Sequence, residues 1–520
     1  MHTLRLLLFS LAAVACFSRP LDPTSSILPD KDPIPILFLP PSIVKPDPPI
    51  VPLFITGLTH TNQGTPPPTP TQAILTVVHQ PTSTIHVVAA TKFLTVTITV
   101  QAQPTSTPSS SSTSAPEPDS GIPSHSSTEM KPFVATYFPD WTGYEFAPEK
   151  VDFKRFAWID FAFAVPDENR QLVFTSSNSE DLLNRLVRTA HTHGSRVKLS
   201  IGGWTGSRYF SDAVSNDANR HEFVKNIVQM YEKFNLDGVD IDWEYPGVQG
   251  AGNNQVSPQD STHYLSFLQL LRSQLPKSAT ITAATQVTPF AGPDGRPMED
   301  VSAFAKVLDW ILIMNYDIWG ASPTPGPNAP LRDGCHNSTQ PDASASASVA
   351  AWMAAGFPPH QITLGLPSYG YVQTSEAKKL IQRSPSAKLG KRWVWDEDDG
   401  DGKMRTAGTG LVRVKGGDGD DSGQVQFKDL IQTGALKLDA NGNYVGAGGF
   451  NRLWDVCSGT PYLVSQNAKQ VVAYDDPQSL GMKAAFARGA GLRGVNMFDV
   501  HGDTENWTLT DAIREGLGLA

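Results

Sequence analysis

The segment Asp237-Gly-Val-Asp240-Ile-Asp242-Trp-Glu244 places four carboxyls within eight residues. On an extended strand, side chains at i, i+2 and i+4 share one face. Asp240, Asp242 and Glu244 then form a ladder with Cα atoms about 6.5–7 Å apart. Val239, Ile241 and Trp243 face the other way, and Asp237, of opposite parity, is expected to tie the strand's entrance. Close like charges cannot all stay ionised, so at least one carboxyl must hold its proton to higher pH. A carboxylic acid that is still protonated near neutral pH can serve as general acid. Glu244, at the strand's end, is the natural proton donor. Asp242, one step deeper, can orient or stabilise a group beside the bond being broken, and Asp240 can tune Asp242. A ladder that only fixes the strand, or one that binds a hard cation, is the plainer alternative.

Something must hold this strand with its carboxyls inward. From residue 131 the chain alternates strand-like and helix-like stretches. FVATYF (133–138), AWIDFAFA (157–164), RVKLSIGG (196–203), LDGVDIDWE (236–244), ATITAAT (279–285), DWILIMNYD (309–317), QITLGLPSY (361–369) and LRGVNMFD (492–499) are the expected strands. Several are apolar almost throughout, as in a parallel sheet buried on both faces. Segments such as SEDLLNRLVRTAHTHG and THYLSFLQLLRSQL are the expected helices. Eight such alternations predict an α/β fold, a (β/α)8 TIM barrel, with an open doubly wound sheet as the runner-up. In a barrel, Glu244 reaches the C-terminal mouth, where barrel enzymes do chemistry. Residues 372–473, between the seventh and eighth strands, are too many for a crossover. Their strand-like pieces (RWVWDE, GLVRVKG, QVQFKDL, YVGAGGFNRLWD) predict a small inserted α+β domain. The KGGDGDDSG turn lacks the EF-hand ligand spacing and reads as a solvated turn, so no metal is expected. No GxGxxG follows an early strand, and no nucleotide or other cofactor is expected.

Three further segments accompany the ladder: Ser200-Ile-Gly202-Gly203-Trp204, Met314-Asn-Tyr316-Asp317 and Tyr474-Asp475-Asp476-Pro477. Together with DGVDIDWE, of the form DxxDxDxE, they make the region 131–520 resemble the family 18 glycoside hydrolases, the retaining chitinases. The SxGG, MxYD and YDDP segments match that family's third-strand, sixth-strand and post-insertion motifs.

The resemblance implies a substrate-assisted mechanism, an exception to two-carboxylate glycosidase chemistry. Glu244 would protonate the leaving oxygen and later activate water. The nucleophile would be the substrate's own N-acetyl oxygen, with Asp242 holding the acetamido N–H. Tyr316 would bond the acetamido carbonyl, and Asp317 would contact the sugar at the cleavage subsite. Met314 and Gln286 join these as substrate-contact candidates. Tyr137, Trp141, Trp204, Trp319, Trp393 and Trp395 are candidates to stack on sugar faces, with core packing as the alternative for each. Trp204 and Trp319, just past strand ends, are favoured. The family usually places tryptophan at the end of strand eight; here Phe498 stands there, a smaller platform without an N–H donor. The implied partner is chitin or a chitooligosaccharide, bound by a monomer. Rival functions are an endo-β-N-acetylglucosaminidase acting on N-glycans and a non-catalytic chitin-binding lectin. The insertion and the YDDP segment favour a chitinase over the glycan enzyme, and intact Glu244 argues against the lectin.

Composition agrees with a neutral substrate. Lys and Arg number 41 against 51 Asp and Glu, a net charge of −10. With no basic block, neither nucleic acid nor an anionic membrane is an expected partner. Residues 1–18 read as a secretory signal peptide: His2 and Arg5, then an apolar run from Leu6 to Phe17 too short to span a bilayer. Residues 19–130 are rich in Pro, Ser and Thr, an extended and O-glycosylated stalk in their last part, with a small β segment expected at 73–101. Leader and stalk together suggest a secreted eukaryotic protein of the fungal type, extracellular or cell-wall associated. Cys16 lies at the end of the leader, leaving Cys335 and Cys457 to pair in an oxidising compartment or to remain two free thiols. Asn337-Ser-Thr and Asn506-Trp-Thr fit the N-glycosylation sequon.

Overall fold

The computed structural model describes residues 131–320, 324–381, 412–416 and 423–519. The leader, the Pro/Ser/Thr-rich region with its expected strands at 73–101, Trp393, Trp395, RWVWDE and the centre of the Gly/Asp-rich turn lie outside these residues.

Eight parallel strands close into a barrel. In chain order they are β1 (Phe133–Pro139), β2 (Trp158–Pro166), β4 (Arg196–Gly202), β5 (Gly238–Asp242), β6 (Thr280–Thr285), β7 (Trp310–Ile313), β8 (Ile362–Pro367) and β16 (Gly494–Phe498). Hydrogen bonding runs β1-β16-β8-β7-β6-β5-β4-β2, and β2 returns to β1. A short β3 (Leu172–Phe174) adds antiparallel to β2. These segments are strands because they are runs of β-branched and aromatic residues buried on both faces. Val239 and Ile241 of β5 join the apolar sleeve between strands and helices, and Trp243 just beyond stacks on Phe210 at 5.2 Å.

Helices follow seven of the eight strands: α1 (Ser179–Thr192), α2 (Phe210–Val214) with α3 (Asp217–Lys233), α4 (Asp260–Gln274), α5 (Ser302–Ala305), α6 (Ala345–Ala354), α8 (Pro477–Gly489) and α9 (Thr508–Leu517). The first strand is followed only by three 3-10 turns between Asp140 and Arg155. In α1, Leu182, Leu183, Leu186, Val187 and Ala190 recur at helical spacing and are buried. α8 starts at the YDDP segment: the Asp476 carboxylate caps Ser479 N–H, the Ser479 hydroxyl caps back, and Pro477 takes the first helical position.

Between β8 and β16 lies the inserted α+β unit. It contains β9 (Tyr369–Thr374), β10 (Gln424–Gln426), α7 (Phe427–Gln432), β11 (Leu436–Leu438), β12 (Tyr444–Gly446), β13 (Asn451–Asp455), β14 (Thr460–Ser465) and β15 (Gln470–Ala473). Five of its strands form an antiparallel sheet, β10-β9-β15-β14-β13, and β11 pairs with β12. Two expected strands differ. QVQFKDL makes only three residues of strand before Phe427 opens a helix. The described part of GLVRVKG, residues 412–416, is not a strand, because the Gln470 side chain supplies its partners. Gln470 Oε1 accepts the Val414 N–H at 3.0 Å, and Nε2 donates to the Val414 carbonyl at 2.7 Å. Cys335 and Cys457 form a disulfide that ties the loop after β7 to the β13–β14 turn. The pairing resolves the two thiol alternatives in favour of the bridge.

Candidate active site

The strands β4, β5 and β6 run in register, with Ser200 beside Asp240 and Asp240 beside Thr282. All three side chains therefore point into the barrel at one height. Asp240, 1% exposed, accepts from three hydroxyls: Ser200 at 2.8 Å, Tyr137 at 3.0 Å and Thr282 at 2.5 Å. Asp242 is two residues nearer the mouth and also buried, and its Oδ1 has no hydrogen-bond partner among the described residues. Burial, then Glu244 and Asp240, raise its carboxyl well above the ordinary carboxylate range. Asp242 thus holds a proton more readily than an ordinary carboxyl and has a buried oxygen left to engage. Glu244 is half-buried at the end of the ladder and hydrogen-bonds Tyr245. Its backbone is clamped: its N–H donates to Ser207 Oγ at 2.9 Å, and its carbonyl accepts from Asn254 at 3.1 Å. Asp237, at the opposite end of the strand, accepts the Val197 N–H at 2.8 Å and meets His191 at 2.8 Å.

The two glycines after Ser200 are explained by space. A Cβ on Gly202 would lie 2.2 Å from the Asp242 carbonyl oxygen, and both glycines have positive φ. Gly203 instead donates its N–H to that same carbonyl at 2.9 Å, which ties β4 to the end of β5.

Met314, Tyr316 and Phe498 gather with Tyr137 in one aromatic-rich cluster inside the mouth. Tyr316 lies 6.1 Å from Phe498, and its hydroxyl is pushed far up by burial and by Asp242. Asp317 adopts a left-handed backbone (φ 60°), held by Asn328, whose Oδ1 accepts the Asp317 N–H at 2.9 Å. Its Oδ1 accepts two phenol hydroxyls, Tyr369 at 2.7 Å and Tyr371 at 2.6 Å. Both tyrosines come from β9, so the inserted sheet supports the sixth-strand motif.

The aromatic candidates divide. Trp141 and Trp204 are half-buried at the ends of β1 and β4. Phe498 is also partly open and packs at 5.2 Å on Tyr137. Tyr137 itself is 1% exposed and bonds Asp240, so it is a support of the ladder and not a stacking platform. Trp319 is 5% exposed, packed with Ile318 and Ala343, and has Gly326 laid against its ring. It lies past a strand end, but Gly326 covers it, and its ring is core. Gln286 is half-buried, and its backbone carbonyl accepts the Trp352 indole N–H at 3.1 Å. Asn506 is exposed in the turn before α9, whereas Asn337 is half-buried.

Thr282, Ser207, Tyr369 and Tyr371 were not singled out from sequence. The tyrosines carried a signal, since two of them at i and i+2 share a strand face; the Thr282 contact depends on strand register. Among the described residues, no group of His, Cys, Asp and Glu is arranged to hold a metal ion.

Comparison with known proteins places the site in context. The family model for glycosyl hydrolases family 18 matches residues 134–503. A chitinase-like effector of Moniliophthora roreri is 37% identical over 386 residues, 74% of this chain and 92% of that protein. Chitinase A1 of Niallia circulans is 28% identical over 345 residues, 64% of this chain and 44% of that protein. The crystal structure of the Rhizomucor miehei chitinase RmChi1 superposes with a TM-score of 0.60 at 29% identity, covering 74% of this chain and 99% of that one. With the family match spanning the barrel and its insertion, and the carboxylate ladder in place inside it, the chain belongs to glycosyl hydrolases family 18.

Proposed function

We propose that the protein is a secreted retaining chitinase that hydrolyses β-1,4 bonds between N-acetylglucosamine units. Glu244 gives its proton to the leaving oxygen while the substrate's acetamido oxygen attacks the anomeric carbon. Asp242 accepts the acetamido N–H and steadies the ring as it becomes positive, and Tyr316 donates to the acetamido carbonyl. Glu244, now a carboxylate, then takes a proton from the water that opens the intermediate. The observation that carries this reading is Asp242. It is a buried carboxyl with a raised proton affinity and an unengaged oxygen, one ladder step from a half-buried Glu244. A buried carboxyl oxygen calls for a partner, and an acetamido N–H would supply one.

A second reading is favoured by one observation: two relatives that each match about three quarters of this chain are named chitinase-like effectors. On that reading the mouth binds chitin fragments without cutting them. Intact Glu244 and the polarised Asp242 favour hydrolysis. Incubation of wild type and Glu244→Gln with chitin hexamer, with products and their anomeric form followed in time, separates the two. Hydrolysis predicts short oligomers first released in the β form and a silent variant. Binding of the hexamer without products from wild type establishes the binder. Release of glycan from a glycoprotein, with the hexamer left intact, moves the substrate to N-glycans. Secretion is supported by the leader-like residues 1–18 and by the disulfide.

A further inference from the structure

Below the carboxylate ladder the barrel interior holds a cation. Lys198, on the inward face of β4 two residues before Ser200, is 1% exposed. Its ammonium lies 2.9 Å from Asp160 of β2 and donates to Thr282 Oγ1 of β6 at 2.7 Å. The rings of Trp310 and Trp158 flank it at 5.0 and 5.9 Å, and Arg493 and Arg196 also lie over those rings. Asn496 of β16 donates to the other Asp160 oxygen at 2.7 Å. The charged and titratable groups around this point are therefore Asp160, Asp240 and Tyr137, the guanidiniums of Arg196 and Arg493 on the far side of the two rings, and Asp242 and Glu244 further up.

We propose that Lys198 is a positioning residue for the reaction: through Thr282 it fixes Asp240 as the hydrogen-bond acceptor of the ladder and leaves the mobile proton to Asp242 and Glu244. The inference, which rests on the chitinase reading, follows from hydrogen-bond polarity. An ammonium has only protons to give. When Lys198 donates to Thr282 Oγ1, the threonine's own proton must point elsewhere, and Asp240 Oδ1 stands 2.5 Å away to accept it. With Tyr137 and Ser200 donating to Oδ2, both oxygens of Asp240 are held as acceptors. A proton shared along the ladder is then placed toward the mouth. Burial raises Asp160 to about 6 even with Lys198 opposing, so this interior is dry enough for one cation to act strongly.

The test uses Lys198→Met, Asp160→Asn and the double variant in the full chain. Removing a positive charge makes the neighbouring carboxyls harder to deprotonate, and removing a negative charge does the reverse. The acid limb of the kcat/KM profile on chitin hexamer is expected to move up by about one pH unit in Lys198→Met, down by a similar amount in Asp160→Asn, and back toward wild type in the double variant. A role in packing alone would lower the rate equally at every pH and leave the limbs unmoved, which would overturn the proposal. If Lys198→Met does not fold, Asp160→Asn still decides above about pH 6, where Asp160 carries its charge: neighbouring carboxyls that titrate there as in wild type refute the idea. Carboxyl-13C aspartate titration of the same proteins reads the opposed shifts without turnover. An inactive wild type with opposed carboxyl shifts would therefore refute the hydrolase and keep the Lys198 arrangement, whereas an active wild type with unshifted carboxyls would do the reverse.

Discussion

Two phenols on one carboxylate oxygen should behave as a pair. Tyr369 and Tyr371 both donate to Asp317 Oδ1, at 2.7 and 2.6 Å, and Asn328 donates in turn to the Tyr369 carbonyl at 3.1 Å. The same asparagine accepts the Asp317 N–H, so β9 holds Asp317 by side chain and by backbone in a conformation that non-glycine residues seldom adopt. Tyrosine to phenylalanine removes only the hydroxyl and preserves the ring. A hydrogen bond to a charged group is worth about 1.5–3 kcal/mol. In either single variant the remaining phenol can tighten onto the same oxygen, so each should lose only about 1 kcal/mol, roughly fivefold in kcat/KM. In Tyr369→Phe/Tyr371→Phe no phenol remains, and the loss should exceed 3 kcal/mol, more than about a hundredfold. The assay is kcat/KM on chitin hexamer for the four members of the cycle, with thermal midpoints measured alongside. The double loss should exceed the sum of the singles by about 1 kcal/mol or more. Strictly additive losses, or a double variant as active as wild type, would show that these tyrosines do not position Asp317.

Three other outcomes are expected. Asp140 is 1% exposed and burial raises its carboxyl to about 6, against the Ser179 hydrogen bond, so its contribution to stability is present below about pH 4 and lost as pH rises to 6. Asp140→Asn should flatten that fall by at most about 3 kcal/mol, read from urea midpoints across the range. The Cys335–Cys457 bridge closes a separation of 122 residues, and its removal in Cys335→Ser/Cys457→Ser should lower stability by about 2–4 kcal/mol; an unchanged urea midpoint would contradict this. Phe498→Trp should fold and change oligomer affinity more than kcat, because Phe498 packs against Tyr137, Tyr316 and Tyr369 at the mouth without bonding the ladder; unchanged affinity for every oligomer length would remove it from the subsite.

The eight barrel strands were legible because strands buried on both faces read as short apolar runs, and the ladder was legible because period two puts its carboxyls on one face. Depth was not. Trp319 and Trp204 both follow a strand end, yet a loop containing Gly326 covers one and leaves the other partly open. Tyr137 has the composition of a sugar platform, but its position on β1 sends its hydroxyl to Asp240, a residue 103 positions away. Partnerships of that kind are set by the register of neighbouring strands, which local pattern does not encode. The inserted sheet shows the same gap. Its presence followed from chain length between two strands, whereas its part in holding Asp317 came from a pairing across the barrel's rim.

These contacts divide the support of the site into two directions with different consequences. From within the barrel, Lys198, Thr282, Ser200 and Tyr137 act on Asp240, and through it on which carboxyl carries the proton. From the side, Tyr369, Tyr371 and Asn328 act on Asp317, whose task is geometric. A perturbation from within should therefore change the pH range of chitin-hexamer cleavage, with substrate affinity little altered. A perturbation from the side should change how well the sugar is held, with the pH limbs left in place. The hydrogen bonds described above join neither set to the other, so a variant from each set should combine additively in free energy. Strong coupling between Thr282→Val and Tyr371→Phe would mean that the ladder and the Asp317 support form a single network, and this division would then fail.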